Sequence, residues 1–214
     1  MLVKDRMTRH PITISQETPV TEALTFMRQN RIRRLPVLDR HGRLVGIVSE
    51  KDLLYVSPSP ATTLSVYEIG YLLSKIRVEE IMTRDVITVT PDTPIEQAAR
   101  IMVDNKIGGL PVVDEGALVG IITETDIFKV LLEMLGARDH GVRVTLETVD
   151  EPGKLSAISA AIAAVHGDIV ALGAFRAASP DKAQVMLKVQ GVTQESLLKA
   201  LEPLDIVVLD IREC

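Results

Sequence analysis

Two stretches of the chain carry the same pattern of apolar and polar positions. They are LPVLDRHGRLVGIVSEKDL, from Leu35 to Leu53, and LPVVDEGALVGIITETDIF, from Leu110 to Phe128. In each, a β-branched apolar run is followed by a polar turn that contains glycine. A second apolar run comes next, broken once by Gly46 or Gly120, and then a hydroxyl residue, Ser49 or Thr123, where the spacing becomes helical. This pattern predicts strand, turn, strand and an abrupt helix start. The likeness extends upstream: Met82-Thr83-Arg84 echoes Met7-Thr8-Arg9, Thr93-Pro94 echoes Thr18-Pro19, and Asn105 echoes Asn30. The offset is 75 residues from Leu35 to Leu110 and 74 from Ser49 to Thr123, because the turn Asp39-Arg40-His41-Gly42 shortens by one residue to Asp114-Glu115-Gly116. An offset that slips only inside a turn marks an internal duplication.

Within the first copy, Pro11 to Ile14 reads as a short strand. Thr18 is expected to cap a helix with Pro19 in its first turn, where the missing N–H costs nothing. Val20, Ala23, Leu24 and Met27 hold helical spacing, and Asn30 is the expected left-handed stop. Residues 57–76 connect the copies. SPSPATT is a linker by composition, and Ser65-Val66-Tyr67-Glu68 reads as a capping box opening a helix with Ile69, Leu72, Leu73 and Ile76 on its apolar face. Beyond Gly136-Ala137-Arg138-Asp139 the pattern changes. Val142, Val144 and Leu146 alternate with polar residues, Asp150-Glu151-Pro152-Gly153 turns, and Leu155, Ile158, Ile162 and Val165 are helical. Three further strands (about 169–176, 185–189 and 206–211) and a helix at 193–201 complete a βαββαβ order, the split ferredoxin-like arrangement.

With 214 residues there is room for two or three compact domains. The net charge of −5 weighs against nucleic-acid binding. No apolar run approaches the roughly 18 residues of a membrane span, and the opening MLVKDRMTRHP has no apolar signal core, so a cytoplasmic protein is expected. The single cysteine, Cys214, and four scattered histidines indicate no metal site. No nucleophile–base pair or Walker-type phosphate loop is present, so the expectation is a protein that is not an enzyme.

The candidate chemistry lies where each copy ends: Gly46-Ile47-Val48-Ser49-Glu50-Lys51-Asp52 and Gly120-Ile121-Ile122-Thr123-Glu124-Thr125-Asp126. A hydroxyl followed three residues later by an acid is a capping arrangement, and that alone accounts for both groups. A carboxylate beside a hydroxyl at an open helix start also suits a ribose diol, with the free N–H groups favouring phosphate nearby. The two roles can coexist.

Two such units in tandem resemble a pair of CBS domains over about residues 3–135. The resemblance rests on the Met-Thr-Arg openings, the Ile12-Thr13 and Ile87-Thr88 strands, the Leu-Pro-Val-x-Asp strands and both Gly-h-h-Ser/Thr-x-x-Asp ends. It implies an α+β or α/β fold of two repeats packed as a pseudo-twofold pair (1–56 and 77–136, with 57–76 between) and a cleft for an adenine nucleotide, AMP, ADP or ATP. S-adenosylmethionine or NAD fits the same logic. It further implies that Asp52 and Asp126, beside Ser49 and Thr123, hold ribose. Thr13 and Thr88, with their neighbours Ile12 and Ile87, would line the base, and Pro111 would also contact the nucleotide. Arg33 and Arg34 stand where Gly108 and Gly109 stand in the second copy. The glycines leave room for a base, and the arginines would meet phosphate or, equally, pair with acids as an exposed face. Non-equivalent sites are expected, with the second copy receiving adenosine better.

Residues 137–214 resemble an ACT domain, on Asp150-Glu151-Pro152-Gly153-Lys154-Leu155. That resemblance implies side-by-side dimers and an amino-acid effector near Asp150, Pro152, Gly153, Leu155 and Asp168. Asp168 stands where amino-acid binders of the family often have asparagine, and a carboxylate cannot donate to a ligand carboxylate. The domain order resembles acetoin-utilisation-type regulatory proteins. The function implied is a regulatory sensor acting on an unidentified partner by population shift; the alternative is a ligand-free dimerisation or assembly module.

Overall fold

The computed structural model describes residues 1–56 and 66–214, the side chains at 66, 67, 69, 70 and 72 excepted. The linker at 57–65, and with it the expected cap at Ser65 and the apolar face at Ile69 and Leu72, lies outside the described residues. The chain divides into two compact units, Met1–Ile127 and Phe128–Cys214.

In the first unit a 3-10 turn (Val3–Asp5) precedes β1 (Thr8–Arg9), β2 (Ile14–Ser15), α1 (Val20–Asn30), β3 (Arg34–Leu38), β4 (Leu44–Ser49) and α2 (Glu50–Tyr55). After α3 (Val66–Lys75) and a second 3-10 turn (Val78–Glu80) come α4 (Ile95–Asn105), β5 (Gly109–Asp114), β6 (Ala117–Thr123) and the start of α5 (Glu124–Met134). β3 and β4 pair antiparallel with β2 parallel to β3, and β5 pairs antiparallel with β6.

The opening segments are exchanged between the copies. β1 pairs with β6 of the second copy, Thr8 opposite Ile121 and Arg9 opposite Gly120. Reciprocally, Thr83 and Ile47 of β4 exchange both backbone bonds, at 2.9 and 3.0 Å. The 3-10 turns follow suit: Val3 N–H donates to Thr93 O and Val78 N–H to Thr18 O, each at 2.9 Å. The first copy's core accordingly contains Val78 and Met82 from the far side of the linker, packed with Val20, Met27, Leu35, Val37, Val48 and Leu53. Gly46 and Gly120 serve this exchange. A Cβ at Gly46 would fall on the Met82 thioether, and one at Gly120 on that of Met7.

Two helix ends differ from expectation. Thr18 does not cap α1; Pro19, extended at ψ 144°, is the N-cap, and its carbonyl accepts from Ala23 N–H at 3.0 Å. Bridging to Arg77 holds Pro19 extended, and Pro94 takes the same place before α4 by bridging to Leu2. Thr93 instead accepts from Thr90 N–H at 3.1 Å. At the other end Asn30 stays helical, its side-chain amide donating to Phe26 O at 2.9 Å. The left-handed residue is Arg31 (φ 54°), as Lys106 is in the second copy, and it lets Ile32 N–H close on Met27 O at 3.0 Å.

The second unit contains β7 (Val142–Val149), α6 (Lys154–Ala164), β8 (Asp168–Arg176), β9 (Lys182–Gln190), α7 (Gln194–Leu201) and β10 (Val207–Glu213). This is the βαββαβ succession the alternation predicts. The strands form an antiparallel sheet of order β10-β7-β9-β8. Val142, Val144, Leu146, Val185, Leu187 and Val189 face Ile158 and Ile162 of α6 and Leu197 and Leu201 of α7 in one core. Lys188 is 4% exposed on the opposite face. Its ammonium donates to Gly136 O at 3.0 Å, so the buried charge has a carbonyl partner just past the end of α5.

Candidate functional site

The exchange makes a cleft in the first unit composite. It measures about 590 Å³, within the range of small-molecule pockets. The first copy contributes Arg33, Arg34, Ile47 and Ser49 through Asp52. The crossing segment contributes Thr83 and Asp85 to Ile87, and the second copy Asn105 through Gly109 and Pro111. Thus Ser49 and Asp52 of one copy face Ile87, Gly108, Gly109 and Pro111 of the other.

Asp52 is positioned by its own helix start. Its Oδ2 accepts from Ser49 N–H at 2.8 Å and from the Ser49 hydroxyl at 2.6 Å, while Asp52 N–H donates to Ser49 Oγ at 3.3 Å. This is the capping reading, fulfilled. Yet Oδ1 takes no hydrogen bond among the described residues, and Asp52 is only half-buried on the cleft wall. One oxygen orients the carboxylate, and the other remains an acceptor, the property a sugar hydroxyl requires. Thr123 and Asp126 repeat the arrangement, Asp126 Oδ2 accepting from Thr123 N–H at 3.1 Å and Oγ1 at 2.7 Å.

The predicted residues therefore separate. Arg33, Arg34, Ser49, Asp52, Ile87, Gly108, Gly109 and Pro111 come together on this cleft. Ile12, Thr13, Thr88, Thr123 and Asp126 are not on its wall. Ile12 and Thr13 are not in a strand; they lie between His10, whose N–H donates to Val119 O of the second copy at 3.2 Å, and β2, which pairs with β3 of the first copy. Gly108 and Gly109 of the second copy both face Asp52's cleft, and a Cβ on Gly109 would also come within 3.5 Å of Thr123 Cγ2. The room expected beside Gly108 is taken, since a Cβ there would land on the Arg34 guanidinium. Arg34 in turn lies 3.6 Å from Glu124 Oε2.

Sequence reading missed Ile47, Asp85, Val86, Asn105, Lys106 and Ile107 as cleft residues. Their signal was the repeat itself, but only once crossed, with positions after one Met-Thr-Arg set against the other copy's acid. In the second unit Asp150, Pro152, Gly153 and Leu155 are exposed together at the β7–α6 turn. Asp168 is not with them. It opens β8 opposite Gln190, whereas Asp150 N–H bonds Asp181 O beside the other end of β9. Within one chain the sheet's length separates them. Among the described residues no cluster of histidine, cysteine, aspartate and glutamate could hold a metal, and no helix is long and apolar enough to cross a membrane.

A duplicated strand–turn–strand–helix unit, with openings exchanged and an acid-bearing cleft between copies, defines a class, and the family comparison agrees. The CBS domain family matches residues 3–59 and 78–133, and this chain belongs to it. Among solved structures it is similar to a Vibrio cholerae protein assigned to acetoin utilization (AcuB), with 34% identity, 65% of this chain and 96% of that one covered, and a TM-score of 0.53. It is also similar to the CBS domain pair of protein MJ0100, solved with 5′-methylthioadenosine and S-adenosyl-L-methionine (34% identity, 65% and 98% covered, TM-score 0.52). CBSX2, solved with AMP, is 33% identical over 61% of this chain and 96% of that one, with a TM-score of 0.51.

Proposed function

We propose that this chain is a regulatory sensor that binds an adenine nucleotide in the cleft between its CBS repeats. The observation that carries this reading is the Asp52 carboxylate, fixed through Oδ2 and open at Oδ1, on the wall of that cleft. Asp52 takes the ribose hydroxyls. Ile47, Ile87, Ile107 and Pro111 supply apolar surface for the base, and Arg33 and Arg34 meet phosphate. The adenosine ligands of the MJ0100 and CBSX2 structures support this class, and S-adenosylmethionine and NAD share the adenosine half. Residues 137–214 act as an ACT domain that joins two chains side by side, with an amino-acid site, if used, completed across that pair because Asp168 lies far from Asp150. Ligand binding shifts the population of arrangements and so acts on a cytoplasmic partner protein.

A second reading, an assembly module without ligand, draws on β8. It is an edge strand of nine residues that leaves Leu172 44% and Phe175 54% exposed. Calorimetric titration of the full chain with AMP, ADP, ATP and S-adenosylmethionine separates the two. Saturable binding is expected, and Asp52→Ala should weaken it by about 1–3 kcal/mol, the range for a hydrogen bond to a charged group. Unchanged affinity in a folded Asp52→Ala protein would reduce Asp52 to a helix cap.

A further inference from the structure

We infer that Arg34 sets the charge class of ligand the Ser49–Asp52 cleft accepts, by exchanging a protein carboxylate, that of Glu124, for a ligand phosphate. The inference rests on reading this cleft as an adenosine site. Arg34 belongs to the first copy, yet its side chain crosses onto the second. Its guanidinium covers the bare face of Gly108, and a Cβ on Gly109 would come within 3.1 Å of its Cδ. It also lines the cleft.

The guanidinium is weakly held there. Its carboxylate neighbour, Glu124 Oε2, is 3.6 Å away, beyond hydrogen-bond length, and the side chains are 26% and 58% exposed. Among the described residues the Arg34 side chain makes no hydrogen bond, although a guanidinium carries five donors. An ion pair this long, with its carboxylate partner in solvent, contributes little. A phosphate offers two parallel charge-assisted bonds to the same fork. A phosphate entering the cleft therefore displaces Glu124 from Arg34. A ligand without phosphate leaves the pair in place and gains nothing from it. The glycine pair keeps the path clear, since any side chain at 108 would collide with the guanidinium in its present seat. The arginines of one copy and the glycines of the other thus form one device.

The test is calorimetric titration of the full chain with AMP and with adenosine, for the unaltered protein, Glu124→Gln and Arg34→Gln. Glu124→Gln, on an exposed helix turn, should bind AMP about fivefold more tightly, the upper range of an exposed pair, with adenosine unchanged. Arg34→Gln should bind AMP about tenfold more weakly and adenosine as before. If adenosine binds and the AMP-to-adenosine ratio is the same in all three proteins, Arg34 is not the selector, and the adenosine reading survives. If Glu124→Gln shifts both ligands together, the exchange is likewise refuted. If the unaltered protein binds neither ligand, the adenosine reading itself falls and this inference with it.

Discussion

The two copies differ most where they meet. The first presents Arg33 and Arg34 before its Leu-Pro-Val strand; the second presents Gly108 and Gly109, both buried. Near the axis that relates the copies, the two positions approach each other, and the long side chain of one occupies the space that a side chain of the other would need. Two arginine pairs could not both lie there, nor could two glycine pairs fill it. The duplication is symmetric in its backbone and complementary in its side chains. The difference between the copies at these positions therefore follows from packing.

This comparison can be broken at several levels. The largest effect is expected in the cores. Leu35 and Leu110 are equivalent, and both are fully buried. Truncating either to alanine should cost about 2–5 kcal/mol in urea denaturation, the usual range for a buried leucine. Closely similar losses would confirm that the copies share one cooperative unit, whereas a much smaller loss in one would show it folding on its own. Next come the glycines under the exchanged methionines. A valine at Gly46 or Gly120 meets Met82 or Met7, with the carbonyl of Thr83 3.2 Å and that of Thr8 3.1 Å from the added Cβ. Each should cost about 1–3 kcal/mol as an overpacking change. If either is neutral, the exchanged segment does not lie where the pairing puts it.

The smallest effect concerns the turns, where the offset slips. In the first copy Asp39 Oδ1 accepts from His41 N–H at 2.8 Å and Arg43 N–H at 2.9 Å, and the Arg43 guanidinium donates to Oδ2 at 2.8 Å. The shorter second turn uses left-handed Glu115 (φ 47°) and Gly116 (φ 83°) instead. The Arg43 amide, with the Arg43 guanidinium and the His41 amide, holds the Asp39 carboxyl at about 2 against the opposing effect of desolvation. A carboxyl depressed from 3.8 stabilises the fold fully above that value. The contribution is lost as pH falls through about 2. An NMR titration of the Asp39 carboxyl should show that low midpoint, and Asp39→Asn should flatten the acid limb of the stability curve. A midpoint near 3.8 would show the turn open in solution.

Much of this was legible in the chain. Most strands and helices followed from hydrophobic period, and the duplication from a steady offset. The expected strands at Pro11 to Ile14 and Ile87-Thr88 did not, since only Ile14–Ser15 pairs there and Ile87 and Thr88 lie outside any strand. The Ser49–Asp52 cap could be read because a hydroxyl and an acid three residues apart are neighbours in any helix start. The helix boundaries were legible only to within a residue. Pro19 displaced Thr18 as the cap because Arg77, distant in sequence, holds it extended. Arg31 displaced Asn30 from the left-handed position because the asparagine amide found Phe26 O.

Local pattern determined the elements, their order and the two acids, because period, turn chemistry and capping act over a few residues. Tertiary structure decided which opening completes which copy, and hence that Asp52 faces Ile87 and Gly108 across the cleft and that Arg34 lies against Glu124. Strand pairing between equivalent copies is almost degenerate in sequence. Either opening offers the same backbone bonds and the same methionine, so only the packing of the whole pair can choose between them.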